Sequence, residues 1–339
     1  MSETPIVVKD PAGSRDNEIR PFAIEGMDVR GRAVRLGTVV DQILKAHDYP
    51  EPVAKILGEL LTLTAMLGSM LKFNGIVTIQ TKSGGPVPMM VADYELREDG
   101  VGRLRGYADI NTEIMAQYGK EPSFHGLIGS KNGYLALTID QGEDMDRYQG
   151  IVELKGETLS EVARNYFENS EQTPTEIRLR CDHDPVTNYW RAGGIMVQHL
   201  ARGETGKERI LERNTAEEWN RASVLMHSVK TEELLDPQLT LDQLLYRLYN
   251  EDGVRVFDSV ALIHACRCSR ERLITVISQF SDDDIDHMTV DGKISVHCQF
   301  CNSTYDFTPE EAHAAHAAAA EGVPEETSDE TSDETSDNN

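Results

Sequence analysis

Apolar positions along this chain follow two periods, and the change of period marks its elements. From Arg35 onward Val39, Ile43 and Leu44 share a helical face. The pattern stops at Tyr49-Pro50, because the residue before a proline resists helical angles. A longer helix is predicted from Pro52 towards Lys72, with Val53, Ile56, Leu57, Leu60, Leu61, Met66, Leu67, Met70 and Leu71 covering much of its circumference. Such a helix belongs at the centre of a core. Lys55, Glu59 and the threonines between its apolar positions argue against a membrane span.

Phe73-Asn-Gly75 then turns the chain into alternating, β-branched segments. Strands are predicted at Ile76–Gln80, at Val87–Val91 after the turn Ser83-Gly-Gly-Pro86, and at Val101–Tyr107, Tyr134–Ile139 and Arg147–Leu154. A helix over Leu159–Asn169 carries Val162, Ala163 and Phe167 on one face, and strands at Glu176–Cys181 and Gly194–His199 follow. Helices against an antiparallel sheet give an α+β class, with a main domain over 21–202. Residues 1–20 have no period and read as a disordered lead.

From Arg202 to Glu218 the composition turns to charge and glycine, a linker signature. Thr215-Ala-Glu-Glu218 and Thr240-Leu-Asp-Gln243 have capping-box spacing. The helices they start carry Trp219, Ala222, Met226 and Val229, then Leu241, Leu244, Leu245 and Leu248, each set on one face. Residues 203–262 therefore read as a helical linker that packs on the main domain and, with polar joints around it, can detach as a unit. A small domain follows over 263–320. Ser269 caps a helix holding Leu273, Ile274 and Ile277, Ser281-Asp-Asp-Asp284 starts another, and Thr308-Pro-Glu-Glu311 starts a last helix. The Thr-Ser-Asp-Glu repeats over 321–339 carry no basic residue and read as a disordered acidic tail.

A formal net charge of −25 in 339 residues, with a pI near 4.7, opposes binding to nucleic acid or an anionic membrane. No apolar run approaches the ~18 residues of a span, and Met1–Arg20 is polar, so a soluble, cytoplasmic, reducing setting is expected. Nothing in the main domain looks catalytic. Gly84-Gly85 and Gly193-Gly194 lack the spacing of a phosphate loop, and Cys181-Asp-His183-Asp184 reads as a polar turn after a strand rather than a metal site. Cys181 is then a single thiol with no argued role.

Chemistry concentrates near the C-terminal end. Four of the five cysteines form two close pairs, Cys266-Arg-Cys268 and Cys298-Gln-Phe-Cys301, separated by twenty-nine residues. Ile294–Cys298 reads as a strand, and Thr304–Phe307 closes a hairpin with a metal-binding knuckle at its turn. Close cysteine pairs supply thiolates at the ~4 Å spacing that tetrahedral zinc, with bonds of ~2.3 Å, requires. One intervening residue in the first pair is tighter than most zinc frameworks, yet a four-thiolate zinc site, one ion per chain, is the leading reading. Permanent disulfides would need an oxidising compartment. Spacing alone favours a purely structural zinc site over a reactive one. His264, His287, His297, His313 and His316 lie nearby, but four thiolates already complete the tetrahedron.

These residues carry a family likeness. Ala265-Cys266-Arg-Cys268-Ser-Arg-Glu-Arg272, the long spacer and Cys298-Gln-Phe-Cys301-Asn resemble the redox domain of the heat shock protein 33 family, bacterial redox-regulated chaperones also called 33 kDa chaperonins. The resemblance extends through Lys230–Leu235, Arg247–Glu251, Arg147–Glu153, Leu71–Gly75 and His47–Pro50. It implies a small zinc-binding redox domain whose oxidation by peroxide or hypochlorite joins Cys266 to Cys268 and Cys298 to Cys301 and expels the metal. It further implies that the linker then unfolds and that a homodimer holds unfolded client proteins without ATP, so no enzyme is expected. Trp219, Met226, Leu241, Leu244, Leu245 and Leu248 are candidates for client-binding surface. Arg267, Arg270 and Arg272 either favour thiolate at the first pair or serve as solvated helix charges.

Two other classes stay open at this level. A zinc-bearing regulator could bind nucleic acid or a protein partner through the knuckle, although acids outnumber bases over 263–320. A thiol oxidoreductase using Cys298-Gln-Phe-Cys301 would need the strand-then-helix setting that this stretch lacks.

Overall fold

Asn17–Ile24 (β1) and Val29–Leu36 (β2) pair along their whole length, from Asn17 opposite Leu36 to Ile24 opposite Val29. The computed structural model describes residues 16–25, 27–71, 75–119, 122–129, 132–142, 145–200 and 215–321. Most of the expected lead, the charged joint over 201–214 and the tail beyond 321 lie outside the described residues. Asn17–Arg20, expected in the lead, instead begin β1. Arg20, Arg30, Arg32 and Arg35 lie on this hairpin, whose two strands pair along their length and whose Arg35 is buried.

Thr38–Lys45 (α1) starts at Gly37, which has no capping side chain of its own. Asn17 replaces it: its Oδ1 accepts from the amides of Gly37 (2.9 Å) and Val39 (3.0 Å). Glu51–Gly68 (α2) has proline in its first turn and is buried on most of its circumference, the central helix the pattern predicts. Thr62 and Thr64 are tolerated in that core because their hydroxyls donate to the carbonyls of Gly58 and Leu60.

The chain then adds Ile76–Lys82 (β3), Met89–Leu96 (β4) and Gly102–Asp109 (β5), the short helices Thr112–Met115 (α3) and Phe124–Ile128 (α4), and Tyr134–Asp140 (β6) and Tyr148–Glu153 (β7). Leu159–Tyr166 (α5) ends in a π turn over Phe167–Glu171 and precedes Thr175–Asp184 (β8) and Tyr189–His199 (β9). β8 runs through Cys181, Asp182, His183 and Asp184, so the turn expected there comes later. Cys181 is buried against α2 beside Gly58. A Cβ on Gly58 would lie 2.3 Å from its sulfur, so the small residue permits the approach.

Thr215–His227 (α6) and Leu241–Tyr249 (α8) are the two expected linker helices, and a short helix that the pattern did not predict, Thr231–Leu235 (α7), lies between them. At α8 the Gln243 amide donates to Thr240 Oγ1 and the Thr240 amide to Gln243 Oε1, a complete capping box. The Thr215 side chain lies outside the described set. The linker is not helical to its end. Val254–Val256 (β10) pairs with β1, and Val260–His264 (β11) lies antiparallel to β1 and parallel to β5. Both belong to one eleven-stranded sheet of order β7-β6-β3-β4-β5-β11-β1-β2-β9-β8, with β10 beside β1.

β1, β2 and β9 are covered on both faces. Ile19, Val34 and Met196 face the core of α1, α2 and α5. Phe22, Val29, Ala33, Ile195 and Val197 face a second core built with Met226, Leu234, Leu241, Leu244, Leu245 and Tyr249. The described chain divides into two compact units, Met1–Cys266 and Arg267–Asn339, so the linker helices belong to the unit of the sheet. The second unit contains Arg270–Ile277 (α9), Asp282–Met288 (α10), the hairpin Ile294–His297 (β12) and Thr304–Phe307 (β13), and Pro309–Glu321 (α11). Its buried apolar core is Ile277, Ile285, Ile294, Phe307 and Ala312.

Candidate metal centre

Each cysteine is delivered by a different local device. Cys266 continues β11, whose register sets His264 opposite Leu104 and whose Ala265 amide donates to the Leu104 carbonyl at 3.4 Å. Cys268 directly precedes Ser269, the cap of α9, whose Oγ accepts from the Arg272 amide. Cys298 and Cys301 occupy the β12–β13 turn. There the Cys298 amide donates to Ser303 and the Asn302 amide to Cys298, both at 2.9 Å, with Asn302 in the left-handed region (φ 60°). An asparagine tolerates that conformation at modest cost.

The result is a cluster. The four sulfurs lie within 4.8 Å of one another, and Cys268 and Cys301 are 3.3 Å apart. All four cysteines are half-buried. The Tyr305 hydroxyl lies 3.3 Å from Cys268 Sγ and the Ser303 hydroxyl 3.3 Å from Cys301 Sγ. Burial pushes the Cys301 thiol up, but the Ser303 hydroxyl and amide and the sulfurs of Cys268 and Cys298 outweigh it and lower it to about 7. Four soft donors at this spacing are the donor set of tetrahedral zinc, and the separations suit it. Among the described residues no histidine or carboxylate joins the group. His297 is held by Thr304 and Asn302, His313 by Asp282 and Asp286, and His316 bonds to the Ser278 carbonyl.

One arginine set against a sulfur is one that local sequence does not point to. Arg105 Nη1, on β5, lies 4.0 Å from Cys266 Sγ, while its Nε and Nη2 donate to Asp93 Oδ2 at 2.8 and 2.6 Å. Its distance of 161 positions from Cys266 hides the pairing from any local pattern. Arg270 is engaged elsewhere, donating to the Asp306 carbonyl and to both Glu311 oxygens and stacking over Phe307. Arg272 donates to the Arg267 carbonyl. The six apolar linker candidates all lie in the second core. Met226, Leu241, Leu244 and Leu245 are buried, and Trp219 and Leu248 partly so.

Sheet and sulfurs together define a mixed α+β protein with a large N-terminal sheet and a four-cysteine, metal-competent centre in its C-terminal part. Residues 17–308 match the family described as Hsp33 protein, and the chain belongs to that family. It is 41% identical over 306 residues to the 33 kDa chaperonin of Caulobacter vibrioides strain NA1000, covering 88% of this chain and 97% of the relative. It is 37% identical over 310 residues to the 33 kDa chaperonin of Photobacterium profundum, covering 91% and 97%. The fold matches the crystal structure of the 33 kDa chaperonin (heat shock protein 33 homolog) of Thermotoga maritima, with a TM-score of 0.74 over 90% of this chain and 99% of that one at 22% identity. The family is one of chaperones, not enzymes. No helix among the described residues is long and apolar enough to cross a membrane.

Proposed function

We propose that this chain is a redox-regulated, ATP-independent holdase of the cytoplasm. It holds one zinc ion per chain on Cys266, Cys268, Cys298 and Cys301 when reduced and is then inactive. The observation that carries this reading is the sulfur cluster beside a core as small as Ile277, Ile285, Ile294, Phe307 and Ala312. A segment of that size folds poorly unaided, whereas a structural zinc contributes about 10–16 kcal/mol to the folding of such modules.

Oxidation removes the donor set. A thiolate of each pair attacks a peroxide oxygen and releases hydroxide, leaving a sulfenic acid. The partner thiolate then attacks that sulfur and releases a second hydroxide. Cys266–Cys268 and Cys298–Cys301 form at the cost of one two-electron oxidant each. Disulfide sulfurs no longer hold the ion, so the small unit loses its main support. The linker helices then come away from the sheet, exposing Trp219, Met226, Leu241, Leu244, Leu245 and Leu248 to unfolded clients, which the protein holds as a homodimer.

The test follows zinc content, free thiols and suppression of client aggregation on the same samples before and after peroxide. Oxidised protein should lose its zinc and four thiols and suppress aggregation without ATP, and reductant should reverse all three. Aggregation suppression indifferent to oxidant would leave a structural zinc site as the better reading.

A further inference from the structure

β11 occupies an unusual place in the sheet. β5 is paired with β4 along Gly102–Asp109, and β1 is paired with β2 along Asn17–Ile24. Those two blocks meet through β11, whose register sets Leu262, Ile263 and His264 beside Gly102, Arg103 and Leu104, and Val260 and Ala261 beside Ile19 and Glu18. Its walls therefore keep their own partners whether or not β11 is present. Its side-chain hold is one buried residue, Leu262, with Val260 half-buried against the same core and Ala261 exposed, and at its end the His264 ring and the Ala265 amide meet the Leu104 carbonyl. The Leu262 seat depends on the missing side chain of Gly102, where a Cβ would lie 2.8 Å from Leu262 Cδ2 and 2.6 Å from the Tyr94 ring. Two residues after β11 comes Cys266, whose sulfur belongs to the cluster.

We propose that β11 is a built-in stand-in for client, and that the slot it leaves between β5 and β1 is a strand-addition site for an extended apolar segment of unfolded polypeptide. The proposal rests on the holdase reading and adds to it a backbone-reading site apart from the apolar helix faces. Loss of the metal frees the C-terminal anchor of β11. The slot then presents unpaired backbone groups on both sides, parallel to β5 and antiparallel to β1, with a side-chain seat lined by Gly102 and Tyr94. Main-chain bonding gives such a site tolerance of sequence, and the single seat favours a leucine-sized residue with extended neighbours. Val260-Ala-Leu-Ile-His264 is itself such a segment.

The experiment uses the full-length protein and a labelled peptide with the sequence of residues 258–265. Aggregation suppression is measured first on reduced and oxidised protein, and hydrogen exchange is then followed over Glu18–Ile19 and Gly102–Leu104. Oxidation should deprotect those of these amides that point at β11, with the ones turned to β2 and β4 unchanged, and the peptide should restore protection and compete with a permanently unfolded client. The peptide should not bind reduced protein, and its Leu262→Asp form should bind oxidised protein at least about tenfold more weakly, as expected for a charge in an apolar seat. An oxidised protein that suppresses aggregation while these amides stay protected, or that does not bind the peptide, overturns the slot and leaves the holdase reading intact. An oxidised protein that suppresses no aggregation overturns both.

Discussion

Arg35 Nε donates to the carbonyl of Leu234 across 3.0 Å, joining residues 199 positions apart in sequence. Its Nη1 donates to the Leu239 carbonyl and its Nη2 to that of Glu233 at 3.2 Å. Glu233 and Leu234 lie in the last turn of α7, where carbonyls have no partner within the helix, and Leu239 precedes the cap of α8. One buried guanidinium thus recognises the folded form of the linker at its bend. Burial lowers the Arg35 pKa, a tendency opposed by Asp16 and Asp236.

Arg35→Met should therefore loosen the linker. Three carbonyls would lose a charged donor in a buried site, at a cost of about 2–4 kcal/mol. Denaturant unfolding should register that loss, and hydrogen exchange over 230–240 should rise in the reduced protein while β3 and β4 stay protected. Unchanged exchange at that bend would remove Arg35 as the tie.

The sulfur set predicts metal stoichiometry. Reduced protein should carry one zinc, Cys298→Ser combined with Cys301→Ser should abolish it, and Cys181→Ala should leave it unchanged. Elemental analysis after gel filtration decides the point, and undiminished zinc in the double variant would refute the four-thiolate centre.

Cys181 has a packing role that a double variant can isolate. Burial raises its pKa well above the usual thiol value, with Glu59 and Asp182 adding to the shift, so it should not react with oxidant. Gly58→Ala would drive a methyl to 2.3 Å from its sulfur, and overpacking of this kind costs about 1–3 kcal/mol. Adding Cys181→Ala should recover much of that loss. Additive penalties in thermal unfolding would show that the two sites do not meet.

A pH dependence belongs to α10 and α11. His313 bonds to Asp282 at 2.6 Å and Asp286 at 3.0 Å, and those bonds raise its pKa above the ordinary 6.5. Charged His313 therefore favours the folded unit. The contribution is complete below pH 6.5 and is lost as pH rises through the higher folded value. The melting temperature of zinc-loaded wild type should exceed that of His313→Gln most at pH 6, and the gap should close as pH rises. A gap independent of pH would mean that His313 contributes through packing instead.

Much of the chain is legible locally. Two close cysteine pairs announce a thiolate centre because ligand spacing is a short-range property, and α8 and α11 begin where Thr240-Leu-Asp-Gln243 and Thr308-Pro-Glu-Glu311 say they should. The circumference of α2 marks it as central for the same reason: burial on most sides leaves an apolar pattern in the residues themselves.

Tertiary structure decided what depends on distant partners. The sequence pattern predicted neither β1 nor β2, and only the carbonyls of Glu233, Leu234 and Leu239 make Arg35 an interior residue. β10 lies inside what reads as a helical linker and β11 spans its expected end, and their strand character comes from β1 and β5, more than a hundred residues upstream. Arg105 reaches Cys266 by the same register. Strand pairing satisfies backbone groups across any sequence separation, so the residues of one strand do not encode which other strand will complete it.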